Sequence, residues 1–258
     1  MSKIVLLTGR APEHCYVANR LASAFPVEAI LIAVGKPISR QQRLKRLRRH
    51  TLSQFLSRAL LKLWMGMSRD HLQRRQDVEG ILGEDSLRHR FPVQTVPGIN
   101  SPDTIATLRG LSPDILLIYG TGIAGPETLK TAKIALNLHS GMSPRYRGTN
   151  CVFWPIYNRE PDQVGATVHF CTGQVDGGPI LAQARVRLRQ EDDTIHKVFA
   201  RVVETGPSLY GEAIRRVEAG YRGEPQDLSA GRDYRAVMWG IMQEWRVRRQ
   251  IRKGLAAR

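Results

Sequence analysis

The first thirty-five residues do most to limit what this chain can fold into. Lys3–Leu7 is a short apolar, β-forming run that ends at Thr8-Gly9-Arg10. A helical stretch over about 13–24 follows, and then a second apolar run, Val27–Val34. A buried strand, a small-residue turn, a helix and a second buried strand make one βαβ unit. Its strands lie parallel, and a parallel sheet needs helices over both faces.

The alternation resumes further on. Val93–Val96 reads as a strand leading to Asn100. Ser101-Pro102-Asp103 starts a helix that runs to about Gly110: a hydroxyl cap, a proline at the first helical position and an acid in the first turn. Asp114–Tyr119 is a buried strand closed by the tight turn Gly120-Thr121-Gly122. A short helix over Pro126–Thr131 and a strand over Ile134–Leu138 come next. Val164–Phe170 and Ile180–Val186 read as two further strands that pair. From Asp193 to about Tyr221 the pattern is helical, with Ile195, Val198, Phe199, Val202 and Val203 on one face and a break at Gly206-Pro207. The class is α/β with a mostly parallel sheet.

Two segments depart from this pattern. Six of the ten residues Arg40–Arg49 are basic. Leu44, Leu47, Phe55, Leu56, Leu60 and Leu63 recur there at helical spacing, and basic residues continue through Arg69, Arg74 and Arg75. This insertion, about 36–90, has two readings: a solvated helix pair packing its apolar stripe on the body, or a helix that meets an anionic or membrane surface. The tail from about 221 to 258 reads as basic and helical, without a strand pattern, and carries Arg246, Arg248, Arg249, Arg252 and Lys253. The expected organisation is a catalytic domain over 1–220, with the insertion, and a helical tail over 221–258.

Composition sets the class of partner. Among 258 residues, Lys plus Arg is 39 and Asp plus Glu is 23, so the formal charge is 39 − 23 = +16 and an anionic partner is expected. Three scattered cysteines, Cys15, Cys151 and Cys171, make no disulfide framework and no zinc-ligand spacing. A metal-free protein of a reducing, cytoplasmic compartment is expected. No apolar run approaches the roughly 20 residues of a membrane span, and the opening run is too short for a signal peptide.

The chemistry concentrates between Asn137 and Pro179. Asn137 and His139 alternate by two at a strand end, so both project to one face. Strand ends are where α/β sheets build ligand sites. Asp176 sits in a loop followed by Gly177 and Gly178. An amide, an imidazole and a carboxylate together can polarise a carbonyl, stabilise an oxyanion and move a proton. The Gly120–Gly125 run lacks the third glycine and the long following helix of a dinucleotide turn.

Asn137–Gly148 (NLHSGMSPRYRG), followed by Gly165–Phe170 (GATVHF) and Val175–Gln183 (VDGGPILAQ), resembles the folate-dependent formyltransferase family. That family includes methionyl-tRNA, glycinamide ribonucleotide and sugar N-formyltransferases. The resemblance spans about 102–220, with a weaker match over the first thirty-five residues. It implies a Rossmann-like sheet and N10-formyltetrahydrofolate as formyl donor, with neither a metal nor a nucleotide cofactor. The family's catalytic residues fall on Asn137, His139 and Asp176. Its folate pocket falls on Gly120, Thr121, Gly122 and Ile123, and on Gln174 and Val175 beside Asp176. The family's second histidine matches His169. The resemblance implies that Asn137 donates to the developing oxyanion, that His139 handles the proton, and that Asp176 orients His139. One position departs: the family commonly has proline after the catalytic histidine, and here it is Ser140.

The acceptor is expected to be the amine of a nucleotide-linked amino sugar for surface polysaccharide. Methionyl-tRNA formyltransferases, by the same resemblance, carry a sizeable β-rich C-terminal domain, and only 38 residues follow Gly220 here. Arg10–His14, the insertion and Gly148–Trp154 also fit the polysaccharide branch. Tyr146, Arg147, Asn150 and His169 are the expected acceptor-side residues, with Arg147 pairing a diphosphate. Methionyl-tRNA or another amine is the alternative acceptor. A non-enzymatic polyanion- or membrane-binding role on this scaffold is the reading from another class. A homodimer and an anionic surface met through the basic helices complete the expected partners.

Overall fold

The computed structural model describes residues 2–35, 51–83, 86–87, 92–189 and 193–254. The basic run Arg40–Arg49, with Leu44 and Leu47, lies outside them.

Seven strands form one sheet: β1 (Ile4–Thr8), β2 (Val27–Ala33), β3 (Val93–Val96), β4 (Ile115–Ile118), β5 (Ile134–His139), β7 (Gly165–Phe170) and β8 (Ile180–Arg185). Their order is β3-β2-β1-β4-β5-β7-β8. The first five are parallel, β7 runs antiparallel to β5, and β8 antiparallel to β7. β1 and β4 are buried at every position, which is why they read as unbroken apolar runs rather than alternating ones.

Helices cover both faces. One core cluster gathers α1 (Pro12–Ala24), α7 (Ile195–Glu204) and α8 (Gly206–Glu218) against one face of the sheet. A second, holding Val5, Leu7, Leu31 and Leu116, lies under α4 (Pro102–Leu111) on the other. Ser101 caps α4 as the sequence predicts, accepting from the Thr104 N–H at 3.2 Å, and Thr194 caps α7, accepting from that of Lys197 at 3.1 Å. The break at Gly206-Pro207 separates α7 from α8.

The insertion provides α2 (Leu52–Met67) and α3 (Asp70–Leu82). α3 buries Val78 and Leu82. α2 does not pack its Leu/Phe stripe on the body: Phe55, Leu56, Leu60 and Leu63 are all exposed.

The tail is not wholly helical. Arg232–Tyr234 forms a strand, β9, that pairs in parallel with β6 (Tyr146–Gly148), and α9 (Ile241–Arg252) follows. A three-residue strand is too short to show an alternating pattern, so only its partner reveals it. α9 is fastened to the insertion: Asp70, 3% exposed, accepts from Arg248 Nη2 at 2.5 Å and lies 3.0 Å from His196 Nε2. Residues 232–252 of the tail therefore pack into the same body as the sheet.

Candidate functional site

β4 and β5 are adjacent parallel strands whose C-terminal ends open on one cavity of 370 Å³. It lies one strand from the point between β1 and β4 where the strand order reverses, the region where open α/β sheets bind ligands. Tyr210 of α8, fully buried, bridges the two strands. Its hydroxyl donates to the Ile118 carbonyl at 2.6 Å and accepts from the Leu138 N–H at 3.0 Å. Nothing local in the sequence marks Tyr210, because its role depends on a helix 72 residues away from Leu138.

Asn137 and His139 both line the cavity, as period-two alternation at a strand end requires. The antiparallel pairing of β5 with β7 sets His169 directly opposite Asn137. The loop after β7 then brings in Asp176. Asn137 Nδ2 donates to Asp176 Oδ1 at 3.1 Å and lies 3.2 Å from His169 Nε2. His139 Nδ1 is 3.2 Å from Asp176 Oδ2. The peptide N–H of Gly148 donates to the same Oδ2 at 2.9 Å.

His169 Nδ1 faces the Phe170 carbonyl at 2.8 Å, and a hydrogen there leaves Nε2 as a lone pair that accepts from Asn137. Both hydrogens of the Asn137 amide are thus engaged, one by Asp176 and one by His169. An anionic oxygen entering the site competes for one of them. His139 stands between two acceptors, with Nε2 2.9 Å from the Tyr146 carbonyl and Nδ1 3.2 Å from Asp176 Oδ2, so the neutral ring donates to one of them and the protonated ring to both.

The electrostatics agree. Burial lowers the pKa of His139 below 6.5, against the opposing pull of Asp176 and the Tyr146 carbonyl, which favours a neutral, proton-accepting ring. For Asp176, burial acts to raise the carboxyl. The His139 charge, His169 and the Gly148 N–H outweigh it and hold the group at about 2. Asp176 is ionised and orients its neighbours.

Asp176 occupies the left-handed region at φ 47°, uncommon for a residue with a side chain. Its carbonyl is held by Ser143 Oγ at 3.2 Å and Gln226 Nε2 at 3.1 Å. Gln226 comes from the tail, and no sequence signal marks it. Gly148, at φ 95°, lies so close to the Tyr234 carbonyl that no side chain fits there.

Of the expected folate-side residues, Gly120, Thr121, Gly122, Ile123, Gln174 and Val175 all line the cavity. Asn150 and His169 line it too. Ser140 also faces the cavity, and its hydroxyl meets the Tyr119 phenol. Tyr146 and Arg147 are corrections. The Tyr146 ring is 1% exposed, stacks on Tyr234, and donates its hydroxyl to Glu160 at 2.6 Å; it reaches the site only through its carbonyl. Arg147 is 9% exposed and turns its guanidinium towards the Leu228 carbonyl, 3.4 Å away, off the cavity wall. Pairing of β6 with β9 fixes both orientations. Cys171 lines the cavity, but burial pushes its thiol up to about 12, so it stays protonated. Among the described residues no group of three or more His, Cys, Asp or Glu side chains could hold a metal ion.

Residues 96–214 match the family described as formyl transferase. Methionyl-tRNA formyltransferase of Rhodopirellula baltica is 35% identical over 148 residues, which cover 54% of this chain and 44% of that protein. The chain spans less than half the length of the curated relatives first matched. Among solved structures, a sugar N-formyltransferase from Shewanella sp FDAARGOS_354 superposes with a TM-score of 0.59 at 15% identity, covering 97% of this chain and 88% of that one. Glycinamide ribonucleotide transformylase 1 from Symbiobacterium toebii gives a TM-score of 0.54 at 19% identity, covering 85% and 89%. These likenesses bear out the Rossmann-like fold.

Proposed function

Since residues 96–214 match the formyl transferase family, we propose that the chain is a folate-dependent N-formyltransferase acting on the amine of a nucleotide-linked amino sugar. The observation that carries the activity is the convergence of Asn137, His139 and His169 on the single carboxylate of Asp176, at 3.1, 3.2 and 3.4 Å, on the wall of one cavity. Its wall joins Gly120–Gly122, Gln174 and Val175 to the apolar Leu129, Val152 and Cys171, and these residues would hold the folate ring.

The bound folate supplies an electrophilic formyl carbon on N10. An amine that becomes an amide sheds one proton while the C–N10 bond breaks and N10 gains one; the His139 imidazole is the group on the cavity wall that would take the first and return the second. The resulting imidazolium is stabilised by Asp176. The Asn137 amide donates to the oxygen on which negative charge grows. Ser143, Gln226 and Gly148 keep Asp176 fixed, so the change of partner when the oxygen arrives is confined to an Asn137 hydrogen.

One feature supports a sugar acceptor: the fold likeness to a sugar N-formyltransferase covers 97% of the chain, whereas the sequence match to a methionyl-tRNA formyltransferase covers 54%. The second reading, methionyl-tRNA as acceptor, draws on that same 35% identity and on the charge of +16, which suits a polyanion.

The test is an acceptor panel. Purified full chain is given 10-formyltetrahydrofolate with dTDP-, UDP- and GDP-linked amino sugars, and separately with methionyl-tRNA. Formylation of a nucleotide sugar is expected. Turnover of methionyl-tRNA alone overturns the sugar assignment, and turnover of none overturns both.

A further inference from the structure

α2 is inside out. In a globular protein the polar side of an amphipathic helix faces water and the apolar stripe faces the core. Here the inward side carries Gln54, Ser57 and Arg58, with Leu61 buried and Met65 packed on the core as its apolar members. Ser57 Oγ accepts from the Ile241 N–H at 3.1 Å, and Arg58 donates to the Ala236 carbonyl at 3.2 Å. The outward side carries Leu52, Leu56, Leu60, Leu63 and Met67, exposed by 74, 51, 54, 60 and 77%. Their steps of four, four, three and four residues keep them on one stripe. Phe55 (47%) flanks it.

α9 packs against α2 and has an exposed row of its own, Met242, Trp245, Arg249 and Arg252. Trp64 of α2 lies under the Arg248 guanidinium at 5.0 Å, and Trp245 under that of Arg249 at 5.3 Å. α2 contains no acid, and the one acid of α9, Glu244, is buried and bonded to Trp239 and Arg248. An apolar stripe is thus bordered by uncompensated cations, with two tryptophans at the border.

We propose that this α2–α9 face docks on an anionic lipid bilayer, the stripe entering the acyl boundary and the arginines and lysines meeting headgroup phosphates. Leucines on one face of a helix with cations alongside, and tryptophan at the polar–apolar boundary, are what an interfacial helix requires. At about 1.5 Å per residue, 16 residues reach ~24 Å, so α2 lies in the plane of the interface and does not cross a ~30 Å core. Charge argues against a second copy as the occupant. Pairing this face with itself would bring Lys62, Arg249, Arg252 and Lys253 against their like, with no acid on the row to offset them. An anionic lipid surface removes that repulsion.

The test is co-sedimentation of the full chain with vesicles of phosphatidylcholine and phosphatidylglycerol (7:3), against phosphatidylcholine alone. Binding to the mixed vesicles, at least tenfold weaker on phosphatidylcholine and weakened by salt, is expected. Tryptophan emission should shift to the blue on binding and lose that shift in a Trp64→Phe/Trp245→Phe variant, since Trp154 and Trp239 are already buried. Leu56→Gln/Leu60→Gln/Leu63→Gln and, separately, Arg249→Gln/Arg252→Gln should each lose binding at least tenfold. All five positions are exposed, so melting temperatures should match the parent. Equal vesicle binding by parent and both variants overturns the proposal. So does a parent that ignores vesicles but sediments as a dimer that the leucine variant dissolves, or one that captures only a protein partner.

Discussion

His139 Nδ1 lies 3.2 Å from Asp176 Oδ2 while its other nitrogen faces the Tyr146 carbonyl at 2.9 Å. The ring therefore stands between two acceptors and gains a partner when it gains a proton. If His139 is the proton acceptor, His139→Ala and Asp176→Asn should each lower kcat by about a hundredfold or more, as loss of positioned acid–base groups does. Asn137→Ala should fall comparably through the lost oxyanion donor. Near-parental turnover in all three, with unchanged folding, would remove these residues from the chemistry.

The pH dependence of turnover follows from the lowered pKa of His139. Burial keeps the ring neutral to lower pH than an exposed histidine. The acid limb of kcat is expected to fall with an inflection below pH 6.5, and an inflection above 6.5 would contradict the buried setting.

Stability should respond in a separate, more acidic window. Asp176 titrates at about 2 when folded and near 3.8 when unfolded. Its contribution is complete above pH 3.8 and is lost as pH falls through 2, because the unfolded chain binds the proton first. Urea unfolding at pH 7 and at pH 2.5 should show Asp176→Asn losing about 2 kcal/mol less than the parent between the two. Parallel losses would mean that the carboxylate is not held as described.

Gly141 leaves no room for a side chain. A Cβ there would meet His139 Nε2, Cys151 Cβ at 2.5 Å and the Tyr146 carbonyl oxygen at 2.9 Å. Gly141→Ala is expected to displace the imidazole and cut kcat at least tenfold in a chain that still folds, since misplacement of a catalytic group by about 1 Å can cost a hundredfold. Full activity would show that the turn has slack.

Removing the Tyr210 hydroxyl leaves the Leu138 N–H and the Ile118 carbonyl without this partner in the interior. Tyr210→Phe should cost about 1–3 kcal/mol in urea unfolding and lower kcat by loosening the strand ends that carry Asn137 and His139. A stability change under about 0.5 kcal/mol would mean that another group replaces the hydroxyl.

Much of this molecule is determined by short stretches of sequence. Strands such as Ile115–Ile118 are apolar throughout because both of their faces are covered, and that is visible without a partner. Asn137 and His139 share a face because strand geometry alternates by two. Asp176 and the folate-side segments were reached through motif resemblance, and they do line the cavity.

What the sequence left open are relationships between segments distant along the chain. Tyr146 and Arg147 were expected on the acceptor side, but pairing with Arg232–Tyr234 turns one ring into the core and one guanidinium away from the cavity. Tyr210 and Gln226 act on backbone 72 and 50 residues away, and no local pattern encodes that. The periodicity of Leu52–Met67 determined that the helix has an apolar stripe. Only tertiary structure decided that the stripe faces out, because the tail occupies the inner side with hydrogen bonds to Ser57 and Arg58. Periodicity specifies a face, and its direction depends on which other segment arrives to cover it.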